Sequence, residues 1–320
     1  MINSGPVVLV VGGRSVLARR LIPELVTRGY QVLATSRAPV ESSDSRVQWL
    51  QGDPVAEPQD FLATLNDHLR ERKLSGVINL LGSWMRGNPR AVLVDTPKWL
   101  MPALEPLSHP ESPALFISGT AVYGDRPGEI LTEDAPLKPD NQLGTWLSEA
   151  EEIWRATEHF APVILRFPHL YGEADDRVLR LMAEGTFFIP GDGENLTHHL
   201  HWEDAALAAA AALQVPAGIY HWSDESRTSL GEWCDCITET LGHPPLSRYS
   251  YEEALEQGAA LVLGPHMNDP SRVKELFAVM AAHVHMDLSH TRDALGLQLR
   301  HPDPYPVLRE LLSQDQTQPS

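Results

Sequence analysis

Val7–Val11 is an unbroken aliphatic run, followed at once by Gly12-Gly13 and then by a segment of helical periodicity. A strand without polar alternation is buried on both faces, which requires helices above and below a parallel sheet. Over Ser15–Arg28 the apolar residues Val16, Leu17, Leu21, Leu25 and Val26 recur at helical spacing, and Gly29 ends the segment as a C-terminal cap. Val32–Thr35 and Val47–Leu50 read as further strands, and Phe61, Leu62, Leu65 and Leu69 mark a helix before Val77–Leu81. Ala114–Ser118 and Val163–Phe167 are two more buried runs. This alternation predicts a doubly wound α/β sheet. Past about residue 168 the pattern loosens, so we expect a sheet domain over 1–167 and a smaller C-terminal substrate lobe over 168–320. A helix at Glu203–Leu213 and a strand at Gly218–Trp222 predict that 203–222 returns to the sheet.

The segment Gly12-Gly13-Arg14-Ser15-Val16-Leu17-Ala18 stands where a strand meets a helix N-terminus. Free N–H groups and the helix dipole favour an anion there, and a dinucleotide pyrophosphate is the usual occupant of a Rossmann-type sheet. Gly12 takes the place of the first glycine of that fingerprint, Ser15 replaces the second and Ala18 is an accepted third. After the second strand the chain reads Thr35-Ser36-Arg37, with no acid to hold a ribose 2′-hydroxyl. Arg37, with Arg14, suits a 2′-phosphate, so NADP is favoured over NAD. An ordinary solvated arginine at a strand end is the plainer reading of Arg37. Asp53 is placed either to reach the adenine or to cap a helix entry. The candidate cofactor set is Gly12, Arg14, Ser15, Val16, Leu17, Ser36, Arg37, Asp53, Leu81 and Gly82.

Charge narrows the partners. Basic residues number 25 against 43 acidic ones, a formal charge of −18 at pH 7. Such a field repels nucleic-acid phosphates and anionic lipid, which leaves a small molecule as the expected ligand. No stretch approaches the roughly 18 apolar residues of a membrane span, and Met1–Gly5 opens no signal peptide, so a cytoplasmic location is expected. Cys234 and Cys236, two apart on a helical segment, point to different sides and predict neither a disulfide nor a shared metal.

Further motifs follow in order: Ile117-Ser118-Gly119-Thr120-Ala121-Val122-Tyr123-Gly124-Asp125, Leu131–Pro139, Leu165-Arg166-Phe167-Pro168-His169-Leu170-Tyr171-Gly172, and Gly191-Asp192-Gly193 running on to His201-Trp202-Glu203-Asp204. Together with the glycine loop they resemble the short-chain dehydrogenase/reductase superfamily, extended type, which includes nucleotide-sugar epimerases and dehydratases. The resemblance implies a Tyr and a Lys one helical turn apart, beside a Ser or Thr. Here these roles fall on Leu143, Leu147 and Gly119, and no Tyr precedes a Lys by four positions anywhere in the chain. The lysines are Lys73, Lys98, Lys138 and Lys274.

Tyr123 and Thr120 are the remaining catalytic candidates, and Tyr123, His169, His199 and His201 the substrate candidates. His199 and His201 share a strand face and offer a metal or anion site, although a structural role is the plainer reading and no metal is expected. The resemblance also implies an arginine near Leu196-Thr197 in relatives that hold a sugar nucleotide, and none stands there. Two functions are open: an NAD(P)-binding oxidoreductase or isomerase with a non-standard active site, or a non-catalytic NADP(H)-binding sensor. The resemblance further implies a homodimer built from Lys98–Leu107 and Leu143–Ala156, and Trp99, Trp146 and Trp154 are either anchors on such a surface or core residues.

Overall fold

The computed structural model describes residues 5–70, 72–82, 88–172, 177–261 and 270–315. Seven parallel strands form the central sheet: β1 (Val7–Val11), β2 (Gln31–Ser36), β3 (Val47–Gln51), β4 (Leu74–Asn79), β5 (Ser112–Gly119), β6 (Phe160–Phe167) and β7 (Gly218–His221). Their spatial order is β7-β6-β5-β4-β1-β2-β3. This is a Rossmann-type doubly wound fold, as the alternating sequence predicts. The β1 run is wholly aliphatic because both of its faces are covered. Val7, Leu9 and Val11 pack with helices α2 (Pro58–Leu69), α3 (Thr96–Leu104) and α4 (Gln142–Arg155). Val8 and Val10 pack with α1 (Val16–Thr27) and with the alanine-rich Trp202–Ala211 helix.

The order of connection reverses between β1 and β4, and open α/β sheets bind ligands in the crevice at such a switch point. The strand Gly218–His221 pairs in parallel with β6 and forms that edge of the sheet. The lobe has its own core, in which Tyr171, Leu179, Met182, Phe187, Ile189 and Trp233 pack with Leu308 and Leu312. Its principal helix, Leu230–Leu241, starts at a reciprocal cap in which Ser229 accepts from Glu232 N and Glu232 from Ser229 N. That helix ends at Gly242 in the left-handed region, φ +71°. It carries Cys234 and Cys236 as free, buried thiols. No helix among the described residues is long and apolar enough to cross a membrane.

Candidate functional site

The loop after β1 is shaped by its neighbours. Gly12 has φ +87°, and a Cβ there would lie 3.1 Å from the Leu80 carbonyl, so only glycine fits without strain. Gly12 N donates to Thr35 Oγ1 at 2.9 Å and Gly13 N to the Thr35 carbonyl at 3.0 Å, tying the loop to β2. Ser15 caps α1 by accepting from Ala18 N at 3.1 Å. The first-turn N–H groups of Val16 and Leu17 have no place in the helix ladder, and both residues line the adjoining cavity. A turn drawn tight by Gly12 at a helix N-terminus fits a dinucleotide pyrophosphate.

That cavity, of about 590 Å³, runs along the carboxyl edge of the sheet from the loop to the lobe. Ser15, Val16, Leu17, Leu81, Gly82, Gly119, Thr120, Leu143, Leu147, His169 and His199 all line it, so most of the candidate positions meet in one cleft. Leu143 and Leu147 lie one turn apart on α4, whose start is capped by Asn141 accepting from Gly144 N at 2.8 Å. A Cβ on Gly119 would touch Leu147 Cδ1 at 3.4 Å. The three positions where the resemblance implies a Ser, a Tyr and a Lys are therefore neighbours, and aliphatic side chains occupy the room.

The polar groups stand one turn deeper. Glu151, next on the same α4 face, pairs with Arg166 at 2.6 Å, and each side chain is 1% exposed. Ser118, which lines the cavity, donates to Glu151 Oε1 at 2.6 Å. Arg166 also donates to the Tyr123 hydroxyl and to the Glu133 carbonyl. His221 Nδ1 lies 3.2 Å from the Asp287 carbonyl and donates to it, so its Nε2 accepts from the Tyr123 hydroxyl. This corrects the expectation for Tyr123. It is fully buried, is absent from the cavity lining, and spends its hydroxyl on Arg166 and His221. Burial outweighs Arg166 and pushes its phenol up to about 12, the wrong direction for a proton donor near neutral pH. Neither Glu151 nor His221 stood out in the sequence, because only the packing of α4 on β5, β6 and β7 joins them.

The histidines divide sharply. His198 accepts from Met286 N through Nε2 at 3.1 Å, so its Nδ1 carries the proton, 3.2 Å from Ser223 Oγ. Burial pulls its pKa down to about 4. His199 lies flat on Trp233, ring centroids 3.6 Å apart and planes at 9°. Its Nδ1 is buried and has no hydrogen-bond partner among the described residues. His201 is not in the cleft. It caps the Trp202–Ala211 helix by accepting from Glu203 N at 3.2 Å. His201, Glu203 and His301 bring ligand atoms within 4.8 Å of one another. His201 Nδ1 is taken by the Glu203 N–H, and its imidazole packs closely on Gly172.

The remaining candidates lie outside the cavity lining. Arg14 and Arg37 are exposed beside the loop, Arg37 at the end of β2. Ser36 is buried and accepts from Ala38 N at 3.3 Å. Asp53 accepts from Val55 N and Ala56 N at 2.9 and 3.2 Å, so its carboxylate holds a turn before α2. Of the two readings of Trp154 the core one holds: it is fully buried and stacks on Phe116 at 5.6 Å. Trp99 and Trp146 remain half-buried at the α3–α4 surface.

With this geometry in view, the profile of the NAD dependent epimerase/dehydratase family matches residues 8–222. The chain belongs to this family. It is 33% identical over 128 residues to a 3-diazoavenalumate denitrifying reductase from Streptomyces sp, a match that covers 36% of this chain and 42% of that relative. It is 26% identical over 243 residues to a decarboxylating sterol-4-alpha-carboxylate 3-dehydrogenase from Dictyostelium discoideum, covering 68% of this chain and 71% of that protein. Among solved structures, the human epimerase family protein SDR39U1 (isoform 2) with NADPH superposes with a TM-score of 0.71 at 18% identity, covering 96% of this chain and 99% of that one. MoeE5 in complex with UDP-glucuronic acid and NAD gives 0.72 at 20% identity, over 96% of this chain and 99% of that one. At these identities the structures establish the extended short-chain dehydrogenase/reductase fold, and the family carries reductases as well as epimerases.

Proposed function

We propose that this protein is an NAD(P)H-dependent reductase with a non-standard active site, acting on a small molecule whose reduction requires no proton from the protein. The observation that carries this reading is the convergence of Leu143, Leu147 and Gly119 on one cleft wall. When bound, the nicotinamide supplies a hydride. Gly12, Ser15 and the first turn of α1 hold the pyrophosphate, and Leu81 and Gly82 close the side of β4. Arg14 and Arg37, with no acid at the end of β2, favour the 2′-phosphate of NADP.

Reduction of a carbonyl builds an alkoxide, and lack of a positioned acid forfeits roughly 10²–10⁴ in rate. Epimerisation has the further need to take a hydroxyl proton and return it. Among the described residues no Tyr or Lys lines this cavity, and burial holds His199 neutral. An acceptor that is already cationic, an iminium or an aryldiazonium, ends neutral after one hydride and escapes both demands. The relative named for a diazo substrate lends support to this class. The same aliphatic wall favours a second reading, a non-catalytic NADP(H) sensor. We further read the half-buried Trp99 and Trp146 on α3 and α4 as part of a homodimer surface, which a monomeric mass in solution would retire.

Nucleotide titration followed by turnover assays separates these readings. NADPH is expected to bind more tightly than NADH. NADPH absorbance is then expected to fall with an aryldiazonium or iminium acceptor, and much more slowly with the matching aldehyde. Binding without consumption of any acceptor moves the weight to the sensor. Faster reduction of the aldehyde overturns the proton-free reading.

A further inference from the structure

We propose that the outer half of the cleft takes the largely apolar body of the acceptor, uncharged there and bearing one hydroxyl, seated against the Trp233–His199 wall with the cationic group inward at the nicotinamide, and that it does not take a nucleotide sugar. The proposal deepens the reductase reading and rests on the same cleft being its reaction site. Among the described residues that line the cavity there is no Asp, Glu, Lys or Arg. A nucleotide diphosphate brought here meets no cation among the described residues, and its negative charge taken out of water without a partner is strongly disfavoured. Past the relay positions the wall consists of Val178, Met182, Leu230, Val279, Met280 and Val284, surface that rewards burial of a hydrocarbon skeleton.

On this wall one polar contact is left to make; among the described residues the other unpartnered atom of a lining residue, Asn79 Nδ2, stands at the end of β4 beside the cofactor loop. His198 has both nitrogens engaged, by Met286 N and Ser223 Oγ, and serves the lobe. His199 Nδ1 is buried without a partner among the described residues, although the ring lines the cavity. Buried polar atoms are normally paired, so an orphan on a ligand cavity marks where a ligand atom belongs. The Trp233 stack fixes the imidazole plane before any ligand arrives. Burial keeps His199 uncharged, and a neutral imidazole presents Nδ1 either as a donor or as a lone pair. A hydroxyl answers both forms, whereas a carbonyl or an amine answers only one well.

The test is equilibrium dialysis of the full chain, with and without NADPH, against 2-naphthol, naphthalene and UDP-glucose. 2-Naphthol is expected to bind about tenfold more tightly than naphthalene, the size of one net hydrogen bond, and UDP-glucose not to compete. His199→Phe keeps an aromatic ring on Trp233 and should erase the difference between 2-naphthol and naphthalene. Leu230→Trp should weaken both by filling the cavity. UDP-glucose binding as tightly as 2-naphthol, or wild-type protein that does not distinguish 2-naphthol from naphthalene, overturns the proposal whether or not the variants fold. An unchanged 2-naphthol affinity in folded His199→Phe also overturns it. These readouts need no turnover. If no acceptor is reduced while the probe ranking holds, the reductase reading falls and the cavity assignment stands; reduction with tight UDP-glucose binding gives the opposite result.

Discussion

At the glycine-loop end the cleft meets the free first-turn N–H groups of α1, whereas farther along its lining is dominated by aliphatic and aromatic residues. Around the relay positions those side chains are Leu143, Leu147 and Leu93, and farther out they are Trp233, Met280 and His199. A backbone cradle persists as long as the turn persists, and the turn needs only Gly12 and the tie to Thr35. A proton relay is made of side-chain functional groups and can be emptied while α4 keeps its cap, its position and its packing. The fold then has no reason to change. In this chain the polar groups sit deeper: Glu151 and Arg166 form a dry ion pair one turn behind the leucines, with Ser118 and Tyr123 bonded to it. One end of the cleft is therefore defined by backbone geometry and the other by side-chain identity.

The sharpest way to break this contrast is to disturb the withdrawn polar group. Glu151→Ala leaves Arg166 as an uncompensated buried cation and should cost about 3–5 kcal/mol of stability, read by chemical denaturation. A loss below about 1 kcal/mol would mean the pair is wetter than its burial implies. At the other end, Gly12→Ala places a Cβ against the Leu80 carbonyl in a left-handed turn. Strain of about 1–3 kcal/mol and the blocked approach should together weaken NADPH by roughly 100-fold. Unchanged NADPH affinity would show that the loop is not the cradle.

Arg37→Ala should weaken NADPH by about 10–100-fold, the range for one charge-assisted contact, and leave NADH where it was. Equal losses for the two nucleotides would remove the 2′-phosphate from this arginine. Tyr123→Phe sharpens the far end. It strips a hydroxyl from Arg166 and His221 and should cost about 1–3 kcal/mol of stability while the affinity for NADPH holds. If turnover collapsed with stability intact, Tyr123 would return as a proton donor.

The mildest effect is a pH dependence behind the histidine wall. Asp224 is fully buried, its backbone N–H donates to the His199 carbonyl at 2.8 Å, and burial pushes its carboxyl up to about 7. The unfolded chain releases this proton near 3.8, the native protein only near 7, so stability falls as pH rises between those values and then levels off. Asp224→Asn removes the titration. Its melting temperature should match wild type near pH 4 and exceed it by a few degrees at pH 8. A difference that does not vary with pH would rule out burial of the carboxyl as its source.

Much of this was legible in the residues. Val7–Val11, Val32–Thr35 and Val163–Phe167 declare buried strands, and Gly12 with Ala18 declares the turn. Leu143 and Leu147 could be placed from motif order alone, and both lie in the cleft wall. Tyr123 misled because a motif places a residue along a strand end without saying which way its side chain turns. Trp154 stayed open between interface and core for a related reason: helical spacing does not separate an exposed face from the one packed on Phe116. His199 and His201 look equivalent in sequence, two apart on one strand. The first meets Trp233 at the cavity, and the second turns into a helix start.

The sequence by itself determined the class of sheet, the site of its glycine turn and the absence of any Tyr four positions before a Lys, because hydrophobic periodicity, glycine's access to positive φ and residue identity are local properties. Only the tertiary structure decided that Glu151 meets Arg166, that Tyr123 is sealed away from the cleft, and that His199 keeps a nitrogen without a partner among the described residues, beside a cavity in whose described lining no charged side chain stands. Those facts depend on contacts between residues far apart in the chain, where burial sets which polar groups must find a partner and which is left waiting for one.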